Sequence, residues 1–352
     1  SVHSGKKYRG AFACNDEIIN RVWEASAYTL YLNNNKYITD GIKRDRLVWI
    51  GDMHPETVSV LRLFGNDPSI RRSLDYIRDI TELPAWMNDI PSYSMWWCKI
   101  QRDLYWYTGD SEYLAKQLPY IGELCGQLLG CVKPDGTYDV GYKFIDWPSS
   151  DQPAAQDLGI RSLLSLSLRS CLEIFHVFGD ASRDGAIGAA LKSLSAKPLE
   201  RVGNKQAVAL AVFAGLLSAE QAEREVLSKE PLRGLSTFLG YYVMQARAKA
   251  GAMRGALDII RRYYGAMLDL GATTMWEDFD LQWAEGAKPL DTLLREGEYD
   301  VHGDNGGYCY KGYRHSLCHG WAAGTVPFAG EYILGIRVAE AGCKKLILSP
   351  DL

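Results

Sequence analysis

The sequence predicts an all-α protein, an (α/α)6 toroid of six helical hairpins with a short β-like stub at its C-terminus. Three observations lead there. About twelve segments carry apolar residues at helical spacing or paired start and stop signals. Their connections alternate between tight turns and long loops, which four-helix bundles and solenoids lack, and no internal repeat is visible. From Tyr332 onward the text, Y-I-L-G-I-R-V and K-K-L-I-L-S, reads as strand.

Taken in order, residues 1–14 are irregular, and Asp16 is an N-cap before a helix over 17–32. After the loop 40–52, Pro55 suits a first helical turn and the helix stops at Gly65-Asn66. Pro68 opens the next, with Ile70, Leu74, Ile77 and Ile80 on one face. Pro84 and Pro91 bracket a loop, a fourth helix covers 93–107, and a fifth runs to Val132. K-P-D-G-T-Y turns into an aromatic loop over 138–151, and helices over 154–178 and up to Pro198 follow. Shorter patterns cover 204–215, 218–228, 236–249 and 252–268. Residues 270–314 are loop-rich, and a last helix begins near His315 or Ser316. The expected organisation is a lead-in over 1–14, a barrel over 15–330, and the start of a β-domain, cut short, over 331–352.

Composition narrows the function classes. A chain of 352 residues that is 47% apolar can bury one large core or two average ones. Net charge is −4 with both signs interspersed and no basic run, which argues against nucleic acid as a partner. No apolar run is long enough to span a bilayer, and S-V-H-S-G-K-K-Y-R-G has no signal-peptide core. A soluble protein is expected, its compartment and oligomeric state open, since a cleaved signal would leave the same text. The eight cysteines are scattered, without a C-x-x-C pair or zinc-like spacing, and are expected to be buried and reduced. Neither metal nor other cofactor is expected. Ten tryptophans and twenty-one tyrosines suit either a large helical core or sugar-stacking surfaces.

The densest chemistry lies at residues 40–52, D-G-I-K-R-D-R-L-V-W-I-G-D, which has neither helical stripe nor strand alternation. A solvated, salt-bridged turn is the plain reading. Against it, Leu47, Val48, Trp49 and Ile50 abut Arg44, Asp45, Arg46 and Asp52, and half-buried charges must pair or hold something. A second cluster, G-A-T-T-M-W-E-D-F-D-L-Q-W, sets Glu277 between Trp276 and Asp278, where an indole would desolvate the carboxyl; a helix cap or an ion-pair partner is the alternative. Asp146 and Trp147 lie in a third, Y-K-F-I-D-W. R-H-S-L-C-H-G-W carries His319, which a satisfied core histidine would equally explain. No H-E-x-x-H, G-x-S-x-G or G-x-G-x-x-G motif is present.

Residues 40–52 resemble the D-C-P-Q-R-D-E-R-L-G-W-T-G-D signature of bacterial α-L-rhamnosidases. A-T-T-M-W-E is similar to their T-T-x-W-E, I-D-W to their G-D-W loop, and H-S-L-C-H-G-W-A-A-G to their histidine-bearing segment. G-A-F-A-C-N-D-E-I-I-N-R-V-W resembles the start of their catalytic domain. The resemblance implies an (α/α)6 domain that removes terminal α-L-rhamnose with inversion, acting on a rhamnose-containing glycan or glycoside. It implies Asp45 as general acid, Glu277 as base, and sugar contacts from Asp40, Arg44, Asp52, Asp146 and His319. Trp49, Trp147 and Trp276 would floor the pocket around the C6 methyl. One departure stands: where the family has its acid in R-D-E-R, this chain reads R-D-R. Either Asp45 takes the acid's place, or the acid is missing and Asp45 replaces the aspartate before it. A six-hairpin hydrolase for another deoxy or uronic-acid sugar, and a glycan-binding domain without catalysis, are the rival readings.

Overall fold

The structure, a computed structural model, describes residues 5–200, 202–303, 305 and 312–350. Cys309 and most of the glycine-tyrosine stretch before Arg314 lie outside them.

Twelve helical segments can be grouped along the described chain: α1 (Glu17–Asn33), α2 (Met53–Phe64), α3 (Pro68–Asp79), α4 (Pro91–Thr108), α5 (Ser111–Cys131), α6 (Pro153–Val177), α7 (Asp184–Ala196), α8 (Lys205–Phe213), α9 (Ala219–Ala222) with its π-turn, α10 (Gly240–Lys249), α11 (Met253–Asp258) running through a π-turn into α12 (Gly265–Asp269), and a composite segment holding α13 (Thr325–Phe328). Their ends follow local chemistry. The Asp16, Asp67 and Asp110 side chains accept backbone N–H bonds at the starts of α1, α3 and α5. Gly109 ends α4 in the left-handed region, which only glycine enters cheaply.

Two rings result. α2 packs on α4, α4 on α6, α6 on α8, α8 on α10, and the composite segment joins α10 back to α2. The inner ring is closed. Its members are buried on most faces: Tyr93, Met95, Trp96, Trp97, Cys98 and Ile100 of α4 are all buried. The outer helices carry one stripe each, such as Ile70, Leu74 and Ile77 on α3. Short connections follow inner helices and long ones precede them, so the long loops gather at the N-terminal end of the inner ring.

The chain departs from sequence expectation at three places. The last helix begins at Gly320, as a 3-10 turn, rather than at His315 or Ser316. The backbone just before it is engaged elsewhere: Ser316 O accepts from Glu277 N at 2.8 Å, and His319 N donates to Met275 O at 2.9 Å. Tyr332 and Ile333 finish a π-turn, and strand β1 (Ile336–Glu340) starts after Gly335 at φ +64°. β1 pairs antiparallel with β2 (Lys345–Leu348), Ile336 opposite Leu348. Cys343 is exposed, whereas Cys98, Cys125, Cys171 and Cys318 are buried, and all the described cysteines are free thiols. Among the described residues no helix is long and apolar enough to cross a membrane.

Candidate active site

Asp40 organises the loop between α1 and α2. Its Oδ1 accepts the Leu47 N–H at 2.8 Å, and its own N–H donates to Leu47 O at 3.1 Å, which closes a small hairpin. At the apex, Asp45 and Arg46 stand at φ +51° and +58°. Two adjacent non-glycine residues there cost on the order of 1–3 kcal/mol each, a strain that marks functional backbone. Beyond the hairpin the chain runs like a strand. Val48 and Ile50 enter the core, Trp49 turns to the cavity, and Leu47 is exposed. Asn88 fixes this run, donating to Val48 O and accepting from Ile50 N. The four apolar residues therefore divide between core, cavity and surface.

The segments around Glu277 and His319 lie side by side through the bonds to Ser316 and Met275, and Gly41 bridges to His319. Trp321 Nε1 and Thr237 Oγ1 both donate to Glu277 O, at 2.7 and 2.6 Å. The Glu277 carboxylate is bound through both oxygens by Arg44 Nη2, and Oε2 also accepts the Ser316 N–H at 3.2 Å. Arg44 Nη1 donates to Asp45 Oδ2 at 2.8 Å and Nε to Arg314 O at 3.0 Å. Thus one guanidinium stands between the two expected catalytic carboxylates.

These loops enclose a cavity of about 480 Å³, within the range of small-molecule sites. Asp40, Arg44, Asp45, Trp49, Asp52, Trp147, Glu277 and His319 line it, as do Ile90, Tyr93, Tyr142, Phe144, Arg314 and Trp321. One wall is charged and the other aromatic, where Phe144 meets Tyr93, Tyr142 and Trp147 at ring separations of 5.0–6.3 Å. Two expected sugar contacts stand outside the lining. Asp146 is fully buried behind Trp147, and its Oδ1 accepts the Ser149 N–H at 3.1 Å. Trp276 packs edge-on against Phe279 and His315 in the core, because the side chains on either side of Glu277 point away from the cavity.

Charge is concentrated here. Burial, aided by Asp52 and Asp45 and opposed by His319, pushes Asp40 up to about 7. Burial also raises Asp52, although His319 Nε2 at 3.3 Å and the Tyr93 hydroxyl at 3.1 Å favour its charged form. Glu56 on α2 is fully buried, neither oxygen has a hydrogen-bond partner, and it lies well above the carboxylate range. Burial lowers His319, but Glu277, Asp52 and Asp40 outweigh it and raise the imidazole overall. Glu56 and Tyr93 gave no signal in the sequence, since both read as ordinary helix residues. Among the described residues no group of three or more histidines, cysteines and carboxylates is placed to hold a metal ion.

The family model described as the bacterial alpha-L-rhamnosidase 6 hairpin glycosidase domain matches residues 7–178. Those residues, just under half of the chain, are similar to that six-hairpin glycosidase domain. The rhamnosidase fold continues past them. The GH78 rhamnosidase of Bacillus sp. GL1 superposes on 99% of this chain with a TM-score of 0.78 at 22% identity. Streptomyces avermitilis α-L-rhamnosidase, solved with L-rhamnose, gives 0.78 over 99% at 16% identity. The Klebsiella oxytoca rhamnosidase with rhamnose bound gives 0.70 over 93% at 19%. The chain spans 38% of the Bacillus, 35% of the Streptomyces and 66% of the Klebsiella rhamnosidase chain. No curated protein matches it.

Proposed function

We propose that this chain is a glycoside hydrolase that releases terminal α-L-rhamnose with inversion, its barrel over residues 15–330 carrying the chemistry between a lead-in over 1–14 and a β-like unit over 331–352. One observation supports this above the rest. Glu277 and the acidic loop 40–52, more than two hundred residues apart in the chain, meet across a single cavity. Inversion needs a base that activates water on one face of the sugar and an acid that protonates the leaving oxygen, roughly 6.5–9.5 Å apart. Glu277 is the base. An ion pair such as that with Arg44 favours the carboxylate form, in which a base acts. The acid comes from loop 40–52, Asp45 being the candidate under one of the two alignments the motif allows. Asp52 and His319, coupled through Oδ2 and Nε2, hold sugar hydroxyls. Trp49 and Trp147 offer apolar surface to the C6 methyl.

A second reading has one specific support: Arg44 occupies both Glu277 oxygens and the motif's glutamate is absent. It is a rhamnose-binding domain without turnover. The same experiment separates the two. The protein is given a panel of aryl glycosides, and the first-formed anomer is read by NMR. Turnover of the α-L-rhamnoside with β-L-rhamnose appearing first is expected, and Glu277→Gln lowers kcat by about 10²–10⁴-fold. Binding without turnover favours the second reading, and an α-first product removes inversion.

A further inference from the structure

We infer that Asp40, not Asp45, carries the proton that goes to the leaving group. This rests on the glycosidase reading above and assigns its acid. Three features of the site lead to it. Asp45 spends Oδ2 on the guanidinium of Arg44, whose other nitrogen holds the base. Its side chain is 35% exposed at a strained loop apex, the least enclosed of the expected carboxylates. Asp40 is the opposite case. It lines the cavity while only 2% exposed, its Oδ1 is fixed by the Leu47 N–H, and its Oδ2 has no hydrogen-bond partner in the protein.

An unpartnered, buried carboxyl oxygen is costly to leave as an anion. The groups around it strengthen that preference: Asp52 and Asp45 lie in the same loop, and the charge of Glu56 on α2 couples to that of Asp40. His319 is the counter-charge, shared with Asp52 and Glu277. The balance leaves Asp40 titrating at about 7, where a general acid is most effective. A protonated Oδ2 with no acceptor in the protein has its acceptor in the bound molecule. As water attacks C1, its proton passes to Glu277. The bond from C1 to the glycosidic oxygen breaks, and that oxygen takes the Asp40 proton. Asp40 ends as carboxylate and Glu277 as acid, and exchange with solvent restores both.

Leaving-group dependence tests this. Asp40→Asn and Asp45→Asn are compared with the parent on methyl and 2,4-dinitrophenyl α-L-rhamnosides across the pH range. Asp40→Asn is expected to lose about 10²–10⁴-fold on the methyl glycoside, far less on the activated one, and to lose the alkaline limb near neutral pH. Asp45→Asn is expected to fall equally on both aglycones and to keep that limb. Equal losses for Asp40→Asn with the limb intact, or the differential loss in Asp45→Asn, overturn the assignment. Asp40→Glu, which keeps an acid, should retain the limb, and it stands in should Asp40→Asn fail to fold. If the parent turns over no rhamnoside, the glycosidase reading falls. The infrared carbonyl band of a protonated carboxyl, compared between parent and Asp40→Asn near pH 6, then decides whether Asp40 holds a proton, and an unchanged band refutes it.

Discussion

At the scale of single residues, the site is held by close approaches that leave no room for larger side chains. Gly320 is the sharpest case. A β-carbon there would collide with Glu56 Oε1, and Glu56 is fully buried with neighbours on every side. Gly320 N also donates to Asp40 O at 2.7 Å, and the next residue, Trp321, donates to Glu277 O. Gly320→Ala must therefore push apart the segment that joins loop 40–52 to Glu277. Overpacking of this kind costs about 1–3 kcal/mol. Chemical denaturation should show a loss of that size together with weaker rhamnose binding, and an unchanged midpoint would remove the constraint. Several of these residues were legible in the sequence because charge and aromatic rings cluster so visibly around Asp40, Arg44, Trp49 and Glu277. Glu56 was not, because a carboxylate at a helix start normally serves the helix dipole. Trp276 was over-read for the opposite reason: adjacency to Glu277 in the chain says nothing about which side of the backbone faces the cavity.

At the scale of elements, the outer helices were legible and the ends of the inner ones less so. α3 and α5 declare themselves by caps and a single stripe. α8, K-Q-A-V-A-L-A-V-F, is buried on nearly every face, so its apolar run has no period to read. The start of the last helix was misplaced because residues 315–319 keep helix-compatible side chains while their backbone bonds go to Gly41, Met275 and Glu277. One consequence of inner-ring packing can be checked chemically. Cys98, Cys125 and Cys171, on α4, α5 and α6, interact in the core: the Cys171 thiol and then burial raise Cys125, and Cys171 is raised by Cys98 and burial against the opposing pull of Cys125. Thiolate is the reactive form. Alkylation of the native protein followed by peptide mapping should label exposed Cys343 while these three stay unmodified until denaturant is added. Labelling of any of the three at the rate of Cys343 would mean that the inner ring opens locally.

At the scale of the whole molecule, the toroid closes through contacts no local pattern announces, such as Ser26 Oγ against Thr325 Oγ1 at 2.7 Å, two hydroxyls 299 residues apart. Closure also places an unusual number of raised acids in one body, and this sets how stability responds to pH. Asp40 at about 7, and Asp52, Glu56 and Asp278, all raised, keep their protons to higher pH in the folded chain than in the unfolded one. Stability therefore falls as pH rises through their folded values. His319 acts in the same sense. Its folded value is raised, so its contribution is complete below about 6.5 and is lost as pH climbs through the folded value. The opposing histidines and carboxylates finish earlier. His54 and His315, the latter lowered to about 4, add stability as pH rises, but only up to their unfolded value of 6.5. Lowered carboxylates such as Asp67 and Asp157 have given all they contribute above their unfolded value of 3.8. Above about pH 6.5 these histidines and carboxylates are spent, and the buried acids with His319 pull stability down against Lys6, Lys43, Lys205 and Lys249, whose burial-lowered values act the other way. Tm should thus decline between about pH 6.5 and 8, and Asp40→Asn should flatten that decline. A Tm that holds level or rises over this interval would show that the acids around the cavity are not protonated in the folded protein.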